Sequence, residues 1–156
     1  MSWWVACAER TLSESVPAPP DRVRDFYVNL DNIKRAHPLI VSVQPTGRHE
    51  TAQGYLQSYR IVDRITLGPF AIHISYRARL HVPDDGDVRT EADQSPGVHV
   101  RAAVSFEAID AGTRLTERIR ITAPRPLAAF TIREAVKAHR AMLSGIRRHF
   151  ECRSAG

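Results

Sequence analysis

One acidic residue stands where an acid is expensive. From Arg114 to Thr122 the apolar residues Leu115, Ile119 and Ile121 alternate with polar ones, the period of a strand with one face buried. Glu117 shares the apolar side, and a carboxylate there costs heavily unless it is paired or hydrogen-bonded. Two roles fit it. It could anchor a ligand hydroxyl or carbonyl, with catalysis as a general acid or base open to it, or it could form an ion pair at the sheet rim with an arginine such as Arg60 or Arg101. Tyr59 and Tyr76 also fall on apolar faces, where a phenol must find a partner or reach water. Phe106, Phe130 and Met142 complete a candidate lining for an apolar cavity, although plain core packing uses the same residue types.

Other chemistries find little footing. There are seven histidines, but His73, His81 and His99 fall on outward positions of strands held roughly 10 Å apart by an intervening strand, whereas zinc needs its ligands within about 2.1 Å. No H-x-x-x-H pair, G-x-S-x-G turn, glycine-rich phosphate loop or reactive cysteine context occurs, so no metal and no cofactor is expected. Cys7 and Cys152 match no disulfide or redox spacing, and a reduced, cytoplasmic setting is the expectation.

The 156 residues, 43% hydrophobic, suit one domain spanning 1–156 with one sizeable core. No apolar run approaches the roughly 20 residues that span a bilayer, so stable membrane insertion is not expected. Lys and Arg total 22 against 17 Asp and Glu, for a net charge of +5 and a pI near 9.8. The cations are spread over every segment rather than gathered in a tract, which argues for a solvated basic surface and against a nucleic-acid partner.

The elements that must position these residues follow from periodicity. A strand from Trp4 to Val16 ends in Val16-Pro17-Ala18-Pro19-Pro20. Val23, Phe26, Tyr27, Leu30 and Ile33 then recur at helical spacing, broken near Asn29–Asp31 into two short helices that close before His37-Pro38. Beyond Pro38 the period is two. A short strand at 39–43 precedes a longer one from Tyr55 to Leu67, where Tyr55, Tyr59, Ile61, Ile65 and Leu67 share a face. Ile72, Ile74, Tyr76, Ala78, Leu80 and Val82 then face one way while His73, Arg77 and Arg79 face the other. Strands follow from Val88 to about Gln94, from Val98 to Phe106, and from Arg114 to Thr122, joined by short turns as in an antiparallel meander. After Pro124-Arg125-Pro126 a single helix runs to Phe150, with Leu127, Phe130, Glu134, Ala138, Met142, Ile146 and Phe150 close to one stripe. Gly145 inside it costs about 1 kcal/mol unless something packs closely there.

This order predicts an α+β fold: a seven-stranded antiparallel curved sheet, two short helices after strand one, and a long C-terminal helix across the concave face. The entrance Val16-Pro17-Ala18-Pro19-Pro20-Asp21-Arg22-Val23, the passage Pro38-Leu39-Ile40 and the run Gly112-Thr113-Arg114-Leu115-Thr116-Glu117 resemble the START-like, or SRPBCC, superfamily. That superfamily of helix-grip proteins includes polyketide cyclases and aromatases, lipid-transfer domains and pollen-allergen-type proteins. The resemblance implies a small hydrophobic ligand, such as a lipid, polyketide or isoprenoid, in a cavity lined by Tyr59, Tyr76, Phe106, Glu117, Phe130 and Met142. A polyketide cyclase or aromatase with Glu117 moving protons is the alternative, and a protein-interaction module using the basic convex face is a third. Arg133, Lys137, Arg140, Arg147 and Arg148 on the last helix leave room for transient contact with an anionic membrane, and monomer and homodimer both remain open.

Overall fold

Proline and asparagine set the first boundaries. β1 (Val5–Val16) cannot continue through Pro17, Pro19 and Pro20, which lack the N–H a ladder requires. Pro20 instead opens α1 (Pro20–Val28), where a missing N–H costs nothing. Asn29 then caps α2 (Leu30–Ala36), its side-chain oxygen accepting from the Asp31 N–H at 3.1 Å. The structure is a computed structural model and describes residues 3–154. Its remaining elements are β2 (Ile40–Thr51), β3 (Gly54–Leu67), β4 (Phe70–Pro83), β5 (Val88–Gln94), β6 (Val98–Ile109), β7 (Gly112–Pro124) and α3 (Arg125–Ser154).

The strands form one curved antiparallel sheet in the order β1-β7-β6-β5-β4-β3-β2. Only β1 leaves its sequence neighbour, crossing to pair with β7 from Val5↔Pro124 to Val16↔Thr113. The strand expected at 39–43 is longer than its sequence suggests: β2 pairs with β3 as far as Thr51↔Gly54, with register shifts between Ile40 and Ser42 and between Pro45 and Gly47. Pro45 and Gly47 look like breakers, but an edge strand needs a ladder on one side only and absorbs both at bulges.

α3 packs against β1, β7 and α2. The core between helix and sheet joins Leu12, Leu80, Val104, Leu115 and Ile119 of the strands to Met142, Leu143, Ile146 and Phe150 of α3. Two glycines have structural reasons. Gly112 has φ +137°, and a Cβ there would stand 2.3 Å from the Val16 carbonyl oxygen, while the Thr113 hydroxyl donates to Ala18 O at 2.6 Å. The Gly112-Thr113 pair therefore pins β7 to the proline segment. A Cβ on Gly145 would lie 3.1 Å from Ala36 O and 3.2 Å from Ala36 Cα, so this glycine lets α2 approach α3 closely.

Two outcomes test this packing. A chain ending at Pro124 should show no cooperative thermal transition by circular dichroism, because the inner face of the sheet loses its cover. Gly145→Ala should not deliver the stabilisation of about 1 kcal/mol that alanine brings to an open helix position. A gain of that size would mean that the Ala36 contact is loose.

Candidate functional site

α3 and the sheet do not meet along their whole length. Between them lies a cavity of about 410 Å³, within the range typical of small-molecule sites. Tyr27, Leu30 and Ile33 of α1 and α2 line it towards one end; Leu127 and Phe130 of α3 with Ser95 and Pro96 of the β5–β6 turn line it at the other. A larger groove, about 990 Å³, runs along the outer face past Arg60, Ser75, Arg77, Arg79 and His99. The inner cavity is the candidate site, because Tyr27, His37, Asp63, Tyr76 and His139 all line it, and of these only Tyr76 also borders the groove.

The first group is centred on Glu117, whose side chain is wholly buried. Its β7 position faces inward, as Leu115 and Ile119 do. The Tyr27 hydroxyl donates to Oε2 at 2.9 Å, and His139 Nδ1 bonds Oε1. Burial pulls the His139 imidazole down, but the Glu117 carboxylate more than reverses this and its pKa is raised overall. Tyr27 is pushed well above its ordinary value by burial and then by the same carboxylate. The pair is thus an imidazolium against a carboxylate, and a phenol held protonated satisfies the second oxygen.

A second group faces it. Asp63 of β3 is buried, and burial raises its pKa to about 6 against a hydrogen bond from the Tyr76 hydroxyl to Oδ1 at 3.2 Å and the nearby positive charge of His139. Tyr76 is itself raised well above its ordinary value, by burial and then by Asp63. His37, just past α2, stacks edge-on to His139 with ring centroids 5.8 Å apart. Burial, then the charge of His139, lowers it to about 3. His37 Nδ1 accepts from the Leu39 N–H at 3.3 Å, so the neutral ring carries its proton on Nε2. No buried side-chain nitrogen or oxygen among the described residues lacks a hydrogen-bond partner. Asp63 Oδ2 and His139 Nε2 have no protein partner there and so open on the cavity, leaving an acceptor and a donor free for a ligand.

Residues 8–151 match the family described as polyketide cyclase / dehydrase and lipid transport. The chain belongs to this family. Among solved structures it is similar to the Zhui aromatase/cyclase of Streptomyces sp. R1128, at 16% identity and TM-score 0.75 over 96% of each chain. It is also similar to a protein of Thermus thermophilus, at 19% identity and TM-score 0.67 over 96% of this chain and 99% of that one. A third is the protein Ara h 8.0201, at 12% identity and TM-score 0.69 over 94% and 99%. No curated protein matches the sequence significantly. The helix-grip fold and the START-like superfamily read from the sequence are those of the structure.

Of the six residues expected to line the cavity of this family member, Tyr76, Phe130 and Met142 do so. Glu117 sits one layer behind, reached through Tyr27 and His139. Tyr59 and Phe106 lie outside the lining. Tyr59 is half-buried, close enough to Asp31 of α2 for that carboxylate to help raise its pKa after burial and Tyr55, while Phe106 packs edge-on against Tyr27 of α1 with centroids 5.8 Å apart. Phe106 lies near the end of β6 that α1 covers, whereas Tyr59, in the body of β3, borders the larger groove. Neither arginine considered for Glu117 reaches it: Arg60 donates to Ser75 Oγ at 3.2 Å and Arg101 lies 3.9 Å from Glu91, both on the outer face. Among the described residues no three or more His, Cys, Asp or Glu side chains gather as metal ligands would.

Four residues of the site escaped sequence reasoning: Tyr27, His37, Asp63 and His139. A signal existed for three of them. Asp63 shares a strand face with Ile61 and Ile65, Tyr27 belongs to the first helical stripe, and His139 follows Ala135 by four and precedes Met142 by three.

Glu117→Gln tests the pair. Without the carboxylate, burial acts on His139 against the weaker pull of Asp63 alone, so its titration, followed by NMR of the ring protons, should fall from its raised wild-type position. The loss of stability should be greatest at acid pH, approaching about 3–5 kcal/mol where a charged imidazole is stranded. It should shrink at alkaline pH, where the wild-type ring also loses its proton. An unmoved His139 titration would dissolve the proposed pair.

Proposed function

We propose that this chain binds a small hydrophobic carbonyl compound in the 410 Å³ cavity and moves protons on it, the acid–base work of a polyketide cyclase. The observation that carries this reading is a set of titratable groups around one cavity with their pKa values driven apart: His139 raised, His37 down to about 3 and Asp63 up to about 6. Environments that split pKa values in this way assign acid and base. His139 gives its Nε2 proton to the carbonyl oxygen. Asp63 takes a proton from the adjacent carbon, and the ketone becomes an enol with protons conserved. Neutral His37 offers a second N–H to the same oxygen, and Glu117 holds His139 charged and oriented, which makes it a positioning residue. The enol carbon can then attack a second carbonyl of the same molecule, the bond-forming step of ring closure.

Carriage of a lipid or isoprenoid is the second reading. It is supported by the largely aliphatic lining, including Ile33, Ile40, Ile65, Leu80 and Val100, and by the family's description, which spans both roles. A carrier gains nothing from a buried His37 and Asp63 whose shifted pKa values cost stability.

A soluble aromatic β-diketone such as benzoylacetone, followed by NMR in D₂O, decides between them. The protein should accelerate exchange of the protons between the carbonyls, with an acid limb near pH 6 from ionisation of Asp63. Asp63→Asn and His139→Gln should each lower the rate by about 10²-fold while a bound naphthalene dye keeps its affinity. Dye binding without accelerated exchange would leave the carrier reading standing.

A further inference from the structure

The exposed large apolar side chains of this protein are not scattered. Eight occur among the described residues: Trp3, Trp4, Val5, Val41, Leu67, Phe70, Ile72 and Leu127. Strand register puts all of them at one end. Val5 pairs with Pro124, at the foot of α3 where Leu127 stands, and the backbone N–H of Arg125 donates to Trp4 O at 2.6 Å. Leu67 and Phe70 close the β3–β4 hairpin. That hairpin overhangs, because β4 first pairs with β5 at Arg77↔Asp93, so Phe70 to Tyr76 project beyond β5 by about 20 Å. Val41 flanks the base of this arm, between partners of Asp63 and Val62.

This is also the end at which the cavity opens, since Leu127 is both exposed and part of the lining, with Ile65 and Ile74 on the arm side. The two segments that carry Leu67, Phe70, Ile72 and Leu127 hold no acid. From Arg64 to Ile74 the chain carries Arg64 and His73 and no acid, and from Ala123 to Ile132 it carries Arg125 and no acid. Single exposed apolar residues are ordinary, but a cluster at a cavity mouth marks a docking surface. Stacked tryptophans (centroids 4.0 Å apart) and an exposed phenylalanine (71%) beside arginines are the side chains that settle at a lipid headgroup boundary.

We infer that the mouth end of the cavity docks on the surface of an anionic lipid bilayer, with Phe70 and Leu67 at the tip of the overhanging hairpin and Trp3 and Trp4 on the opposite side of the mouth entering the headgroup region. Among the described residues no helix is long and apolar enough to cross a membrane, so the contact is peripheral. A hydrophobic ligand would pass between bilayer and cavity without crossing water. That passage rests on the cavity reading given above, but the docking does not.

Trp3 and Trp4 are the only tryptophans in the chain, so intrinsic fluorescence reports on this end alone. Vesicles of phosphatidylcholine containing phosphatidylglycerol should blue-shift the emission and carry the protein down on sedimentation, and vesicles of phosphatidylcholine alone should bind more weakly. Leu67→Ser/Phe70→Ser should weaken sedimentation about tenfold or more, and Arg64→Glu by about fivefold, with thermal melts close to wild type. Absent sedimentation, or full binding by the double variant, overturns the inference. So does a vesicle-free blue shift accompanied by a doubled mass in light scattering, which would assign the surface to a second copy of the chain. Sedimentation needs no ligand and no turnover, so this result and the diketone exchange fail independently.

Discussion

A carboxylate with no exposed surface holds this protein's site together. Glu117 sits midway along β7, one strand in from the edge of the sheet, and its two oxygens are divided between a helix near the start of the chain and the helix at its end: Tyr27 of α1 and His139 of α3. Burying the charge without both partners would cost several kcal/mol. With them, three elements distant in sequence are tied at one point and α3 is set in rotation as well as position. The rotation that brings His139 to Glu117 also brings Met142 and Ala138 onto the cavity and Ile146 into the core.

The pair in turn sets the electrostatics of its neighbours. A positive His139 makes a second positive ring alongside it unfavourable, adding to the burial that keeps His37 neutral, and it opposes part of the desolvation that pushes Asp63 up. These shifts pull stability in different directions with pH. His37, lowered, costs the fold nothing above about pH 6.5 and destabilises it as the pH falls towards 3. Asp63, raised, takes stability away as the pH climbs from about 4 to about 6. His139, raised by its partner, contributes fully below its unfolded value near 6.5 and loses that contribution as the pH rises through its folded value. The shifts of His37 and Asp63 are local costs that a well-packed apolar core would not carry, and sites that do chemistry are where such costs are kept.

The sheet's unequal strand lengths matter as much as its charges. β3 and β4 outrun β5, so the cavity is not closed by strands at that end, and the overhanging hairpin presents apolar side chains beside the opening. The plugged end has the opposite construction: α1 and α2 fill it, Phe106 packs against Tyr27 of α1, and Gly145 lets α2 press against α3. The cavity is thus lined by short helices at one end and rimmed by exposed apolar side chains at the other.

The element order, the inward side of nearly every strand and the burial of Glu117 were legible in the residue pattern, because alternation of period two and stripes of period 3.6 are local and survive whatever the tertiary arrangement. Prolines and glycines marked the boundaries for the same reason, except in β2, where an edge position tolerates bulges that a central strand would not. What Glu117 meets was settled by packing. Its partners lie 90 residues before it and 22 after it, and no spacing rule connects a helix stripe to a particular rung of a sheet. Arg60 and Arg101 were plausible by charge alone, yet alternation turns both outward, whereas His139 reaches the carboxylate through the rotation of α3. Asp63 shows the same limit from the other side: its inward position was legible between Ile61 and Ile65, but its place in a site came from the packing of His37 and His139 against it. Whether an inward-facing side chain lines a cavity or fills a core depends on where two helices plug the sheet, and that is a property of the assembled fold.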